Sequence, residues 1–351
     1  VEADSIGKVD YITPASNLRM DRLEQDRKVY LISTAKVKVS TPDYDTAYAA
    51  EAHPMEITDW AESQLLTRLG MPVSYFRKAF QQDPELYKHH FNHWISKHDN
   101  PIMLRSRCNK DGRAVVRGVV SDSYSPFDND TFIDILAELL GARQDRLVFE
   151  QLHLDDHRMH LRMTFPELSK DLSYNGSMIT ADDDSRVGID FTNSEVGMSS
   201  VDIQTLIFRL ICTNGLRGWS KDGPGFSQRH IHLQPGAMRH RIAAAMEQQV
   251  EAGGKMLEAY RDTQMTEVNF PFSVIDKLVK EGGFSDSFRD EAKVQFEGDP
   301  TAYGVINSLT RASRALPNHN RLEAETFAGK LVYLPGKRWQ ELDTEEEVIN
   351  A

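Results

Sequence analysis

Two basic runs carry the residue types best suited to gripping a phosphate chain: RSRCNKDGRAVVRG at 105–118 and SQRHIHLQPGAMRHR at 227–241. Arginine meets phosphate oxygens with a planar, two-pronged fork, and an aromatic ring nearby offers a base a stacking surface. Strand alternation puts Arg105 and Arg107 on one face, and Arg113 and Arg117 on one face. Across an Asn109-Lys110-Asp111-Gly112 hairpin turn those faces can coincide in a four-arginine patch. Tyr124, in SDSYSPFDN, is the expected stacking ring. Arg229, His230, Arg239 and Arg241 supply a second basic edge. These nine residues are the expected nucleic-acid-binding set; no catalytic residue, metal ligand or cofactor is expected.

Other chemistries are weaker in the sequence. Lys110 abuts Asp111-Gly112, whereas nucleotidyl-transferring ligases place one residue between lysine and Asp-Gly, so this stretch reads as a turn. His153, His157 and His160 with Asp155 and Asp156 offer imidazole and carboxylate ligands, but their spacing fits no helical zinc motif and reads as a polar hairpin end. His89, His90 and His93 read as decoration of a helix. Gly-rich phosphate loops and the GxSxG nucleophile turn are absent. Cys108 and Cys212 stand in no CxxC pattern, which argues against a disulfide framework or structural zinc and fits a reducing cytoplasm.

The elements that must position these residues follow from periodicity. Residues 1–27 are polar without a sustained period and read as an arm; 28–39 alternates as a strand. Thr58 caps a helix that Gly70 ends, Pro72 opens the next, and a third covers 84–98. Strands are expected at 102–107, 114–120, 147–154, 159–165 and 188–191, with 200–211 also leaning to strand. Between them Asp128 or Asn129 caps a helix with Phe132, Ile133, Leu136, Leu139 and Leu140 as its apolar stripe. From Pro235 the chain is helical, with a weak point or break at Gly253-Gly254 and further helices at 272–279, 286–296, 300–315 and 322–331.

The expectation is an α+β fold with a mixed or antiparallel β-rich middle. It divides into an N-terminal arm and helical cap (1–99), a β-rich core (100–235) and a helical C-terminal region with an acidic tail (236–351). At 351 residues, 40% hydrophobic and 27% charged, the composition is that of a soluble globular protein. No run is long and apolar enough to span a bilayer, and no apolar leader follows the first residue. A net charge of −12 excludes a uniformly basic binder and confines any strand-binding role to local patches.

Three stretches together carry a resemblance. GVVSDSYSPFDN (118–129) holds Ser121, Tyr124, Asp128 and Asn129. RLICTNGL (209–216) holds Arg209, Cys212 and Asn214 and is followed by Arg229-His230. TAYGVINSLTRASRAL (301–316) holds Tyr303, Gly304, Asn307 and Thr310. In this order they resemble the phage/plasmid-like protein family of unknown function, the domain-of-unknown-function 932 group, over about 100–330. Gly215 stands where many members have threonine, and residues 1–60 find no counterpart. The resemblance implies a mobile-element setting and DNA metabolism and supplies no catalytic residue.

The expected function is single-stranded nucleic-acid binding or annealing by a homo-oligomer in the cytoplasm of a bacterial host, away from membranes and without an enzyme activity of its own. The β-rich middle and its arginines suit this role, through fold-level analogy. Two alternatives remain: a metal-dependent enzyme using the sets at 153–160 and 182–184, or a structural or regulatory protein that binds a host partner.

Overall fold

A computed structural model describes residues 5–23, 28–33, 38–39, 54–109, 114–141, 147–171, 184–209, 214–218, 225–233 and 235–345. The chain is α+β, with a β-rich middle and a helical last third.

The first sheet has the strand order β2-β3-β5-β7-β6-β1-β4. Its members are β1 (Ser5–Pro14), β2 (Leu18–Leu23), β3 (Val29–Ser33), β4 (Lys38–Val39), β5 (Met55–Ile57), β6 (Pro101–Asn109) and β7 (Ala114–Ser121). Residues 5–23 of the expected arm are built into the sheet: β1 lies antiparallel on β6, with Asp10 opposite Arg105 and Lys8 opposite Arg107. The sheet draws strands from both sides of the boundary expected at 99/100. β6 and β7 pair antiparallel as expected, while β5 and β7 run parallel. One face packs on α1 (Asp59–Arg68), α2 (Val73–Gln82) and α3 (Pro84–Ile95) through Leu65, Phe76, Tyr87 and Phe91. Thr58 caps α1 by accepting from the Ala61 N–H, and Gly70 leaves it at φ +67°, a left-handed position that glycine adopts freely.

The second sheet runs β12-β11-β10-β9-β8, with β13 also on β11. Its strands are β8 (Val148–Leu154), β9 (Met159–Asp171), β10 (Asp184–Asn193), β11 (Val201–Arg209), β12 (Asn214–Gly218) and β13 (Phe226–Gln228). Odd positions on β9, β10 and β11, among them Leu161, Met163, Ile189, Phe191, Val201 and Ile203, form one apolar face. That face is covered by α4 (Asn129–Gly141) and the first half of α5 (Pro235–Asp262). On α4, Phe132 and Leu136 are buried, but Ile133, expected in the stripe, is 43% exposed.

α5 runs unbroken through Gly253-Gly254, contrary to the expected weak point. A β-carbon at Gly253 would stand 2.3 Å from Val187 Cγ1, so the missing side chain lets the helix lie against the sheet. Tight packing outweighs the helix-propensity cost of glycine, about 1 kcal/mol. The second half of α5 joins α6 (Pro271–Glu281), α7 (Asp286–Val294), α8 (Ala302–Ala312), α9 (Asn318–Leu331) and α10 (Gly336–Leu342) around a third core. Among the described residues, no helix is long and apolar enough to cross a membrane.

Candidate functional site

The opposite face of the second sheet is polar at even positions, and its middle, at His160, Arg162, Asp190 and Thr192, is buried. An antiparallel sheet with one core face ordinarily leaves the other to water. Here α9 lies over it, so its charges must be paired within the protein. Strand register sets out two cross-strand rows: His153, His160, Thr192 and Asp202; then Gln151, Arg162, Asp190 and Gln204. Arg217 joins from β12, opposite Leu206.

Arg162 donates from Nε to Asp190 Oδ2 at 2.9 Å and from its terminal nitrogens to Glu325 of α9. Arg217 Nη2 donates to Asp190 Oδ1 at 3.0 Å and to Thr192 Oγ1 at 3.3 Å. Arg321 Nε also reaches Glu325, at 2.9 Å. Burial pushes the Asp190 carboxyl upward, but the adjoining Arg217 and Arg162 outweigh it and hold the group below its usual range. Burial also pushes the His160 imidazole down to about 4, with Arg217, Arg158 and Arg162 adding to the effect against Asp190. His160 is thus neutral at physiological pH, with Nδ1 3.0 Å from Thr192 Oγ1.

Above this floor, between the sheet, α9 and the turn joining α6 to α7, opens a cleft of about 660 Å³. Arg158, Arg217 and Lys330 bring cations to it, Phe284 and Phe327 bring aromatic surface, and Asn320 brings an amide. Three atoms of lining residues, Ser199 Oγ, Gln204 Oε1 and Arg217 Nε, are buried without a hydrogen-bond partner. Such atoms are costly unless something polar meets them. Asp202 and Glu323 also line the cleft, and burial raises the Asp202 carboxyl above its usual range.

None of the described residues expected from sequence to bind nucleic acid lines this cleft. Arg105 is 4% exposed, with Nε 3.0 Å from Asp10 and Nη2 bonded to Asp128. Its guanidinium sits over the Tyr124 ring, 5.6 Å from the centroid. Tyr124 also stacks on His230, with centroids 5.1 Å apart and planes 8° from parallel. Tyr124 and His230 are buried at 7% and 4%, so the expected stacking platform faces the protein's own histidine. The His230 ring nitrogens have no hydrogen-bond partner, and burial, helped by Arg105, pushes this imidazole to about 4.

The four-arginine patch is not assembled as alternation predicts. A bulge places Arg105 opposite Gly118 and Ser106 opposite Val116, leaving Arg117 as the extra residue, bonded to Glu195 Oε2 at 2.9 Å. Arg107 is half-buried, and Arg113 lies outside the described residues. Arg229 is exposed; Arg239 pairs with Glu138, and Arg241 donates to Gln228 at 2.7 Å.

Around Glu195 a second charged cluster joins the sheets. Glu195 accepts from Lys8 Nζ at 2.8 Å and from the Asn129 N–H at 2.9 Å. Burial pushes its carboxyl up, but Lys8, Asn129 and Arg117 outweigh this and hold it at about 2.

Asp155 closes the β8–β9 turn by accepting from the His157 and Arg158 N–H groups, each at 2.8 Å, as a polar hairpin end requires. His157 packs edge-on against Trp60. Among the described residues, no group of three or more His, Cys, Asp or Glu is placed to hold a metal ion. Asp182, Asp183 and Cys212 lie outside the described residues.

A family model described as "Domain of unknown function (DUF932)" matches residues 116–312, more than half of the chain. The chain belongs to this family. No curated protein and no solved structure matches it. Residues that carried the resemblance meet in two places in this family member. Tyr124 and Asp128 join the Arg105 cluster, whereas Tyr303 lies under the Arg209 guanidinium at 5.7 Å and Asn307 accepts from the Tyr260 hydroxyl at 2.5 Å.

The polar face was missed in sequence because each strand shows only part of it. The signal was present in the even residues His160, Arg162 and Thr164, then Asp190 and Thr192, then Asp202 and Gln204, interleaved with apolar odd ones. Aligning those alternations would have put Arg162 beside Asp190.

Proposed function

We propose that this protein binds single-stranded nucleic acid, and that the strand enters the cleft between the polar sheet face and α9. The observation that carries the reading is the meeting of three cations, Arg158, Arg217 and Lys330, with the Phe284–Phe327 ring pair in one open cleft. Cations take the phosphates and rings take bases, the two contacts that sequence-tolerant strand binding needs. Arg217 is already paired with Asp190, and Asp202 and Glu323 also line the cleft, so a phosphate would be drawn chiefly to the Arg158 and Lys330 side of it.

In this proposal the protein acts as a binder rather than an enzyme, in the DNA metabolism of a phage or plasmid within a bacterial cytoplasm. That setting rests on the family resemblance.

The test is fluorescence anisotropy with labelled single-stranded DNA and RNA 20-mers across a salt series. Binding should weaken with salt by a log–log slope of about −0.7 per phosphate contact. Lys330→Glu and Arg158→Glu should each weaken binding to every sequence and flatten that slope. Absence of binding at low salt would refute the proposal, and so would full binding by the Arg158→Glu/Lys330→Glu double variant.

A further inference from the structure

β8 is an edge strand: its neighbour on one side is β9, and no described strand lies on the other. It carries three large apolar side chains in the open, Phe149 at 56%, Leu152 at 46% and Leu154 at 51% exposed. An apolar edge that no described strand covers is a ready template for another strand.

A bulge decides which strand fits. The β8–β9 register shifts between Phe149 and Gln151: Phe149 faces Met163, Gln151 faces Arg162, Leu152 faces Leu161 and Leu154 faces Met159. Phe149, Leu152 and Leu154 therefore all stand on the apolar side of the sheet, and Leu147 packs against that same core. Val148, Gln151 and His153 stand on the polar side opposite Thr164, Arg162 and His160, and Glu150 joins them by accepting from Thr164 Oγ1 at 2.6 Å. Read from 147 to 154, the sides run apolar, polar, apolar, polar, polar, apolar, polar, apolar. That pattern is palindromic about the point between Glu150 and Gln151.

Residues directly opposite in an antiparallel pair share a face, so a palindromic strand is complementary to its own copy in one full-length register. We propose that β8 pairs antiparallel with β8 of a second copy of this chain, about a two-fold axis between Glu150 and Gln151. Leu147 then faces Leu154 of the partner subunit, and Phe149 faces Leu152 of the partner subunit. The polar Glu150 and Gln151 meet on the other side. This is a self-complementary interface that closes at two subunits. Its axis stands perpendicular to the sheet, so both polar faces and both clefts open on the same side. The inference does not depend on what the clefts bind.

Sedimentation equilibrium on the full chain, from sub-micromolar to tens of micromolar, tests it. A reversible monomer–dimer equilibrium is expected. Phe149→Asp and Leu152→Asp should each shift the midpoint at least tenfold toward monomer, with unchanged circular dichroism because both positions are exposed. Val294→Asp, at an apolar site 76% exposed elsewhere, should leave the midpoint unchanged.

Register is read by disulfide trapping with Cys108 and Cys212 replaced by serine. Phe149→Cys chains mixed with Leu152→Cys chains should cross-link to each other far more than either does alone. A monomer throughout the range overturns the proposal, as does a dimer insensitive to both aspartates or equal cross-linking in the unmixed samples. Should the serine background fail to fold, the sedimentation results decide alone.

Discussion

Arg162 on β9 and Glu325 on α9 form a two-pronged ion pair inside the protein, with side chains 4% and 0% exposed. Through it the last helical layer is fastened to the floor of the cleft. Removing one partner leaves an uncompensated buried charge, whereas exchanging both for apolar groups does not. Glu325→Ala should therefore cost about 3–5 kcal/mol in urea unfolding. The Arg162→Met/Glu325→Leu double variant should cost less than the single loss. The charge of Arg162 also serves Asp190, so the double variant will not recover full stability. A single variant as stable as wild type would show that α9 is held by its apolar contacts alone.

Acid should destabilise the fold above the pH at which ordinary carboxylates titrate. His160 and His230 sit at about 4 in the folded chain, against about 6.5 when unfolded. Between those values the unfolded chain takes up protons that the folded chain refuses. The stabilisation is thus complete above about pH 6.5 and is lost as pH falls, by about 3 kcal/mol per histidine. Asp10 works the other way: burial lifts it to about 6 against Arg105, so its neutral-pH penalty is relieved on acidification. Two histidines outweigh one aspartate, and urea midpoints should drop from pH 7 to pH 4.5. His160→Gln keeps a polar contact to Thr192, and His230→Phe keeps the ring stack. Each should remove most of the slope, because the remaining histidine is nearly offset by Asp10, and an unchanged slope would rule that histidine out.

The locally determined parts of the fold were legible in the sequence. Thr58 caps α1, β6–β7 and β8–β9 pair antiparallel as their sequences predict apart from one bulge in each, and the last third is helical. What was not legible depends on partners distant in the chain. Lys8 and Asp10 give β1 the look of a polar arm, yet they are paired across the sheet with Glu195 and Arg105. Gly253 reads as a helix breaker until Val187 is placed against it. Arg105 and Tyr124 have the residue types of a strand-binding surface, but a bulge and a stacking histidine turn them inward. Four strands had to be in register before Arg162, Asp190 and Arg217 could be read as one site.

The seat of α9 on the sheet depends on Gly329. A β-carbon there would lie 2.0 Å from the Arg217 carbonyl oxygen, a backbone atom that cannot rotate away. Gly329→Ala gains helix propensity, about 1 kcal/mol in a free helix. The clash reverses the sign: the helix must lift, loosening Glu325 from Arg162. The expected result is a loss of about 1–3 kcal/mol, as for other overpacked sites. Gly254→Ala is the control, because nothing lies within 4 Å of its β-carbon and the substitution should be neutral or stabilising. Equal melting temperatures for the two variants would contradict the close approach.

Tyr124 separates a structural role from a binding one. Its hydroxyl donates to the Ser194 carbonyl at 3.1 Å, and its ring touches both Arg105 and His230. Tyr124→Phe removes the hydroxyl alone and should cost about 1 kcal/mol, the net value of one hydrogen bond. Tyr124→Ala removes the ring, leaves a cavity beside two cationic or ionisable groups, and should cost about 3–5 kcal/mol. Because the ring faces inward, neither change should alter single-strand affinity at temperatures where the variant is folded. Anisotropy and thermal melting on the same samples distinguish the cases. Weakened binding by Tyr124→Phe at unchanged stability would mean that the hydroxyl reaches ligand, returning Tyr124 to the binding surface. Lost binding by Tyr124→Ala that tracks its unfolded fraction is what a buried joint between the sheets produces.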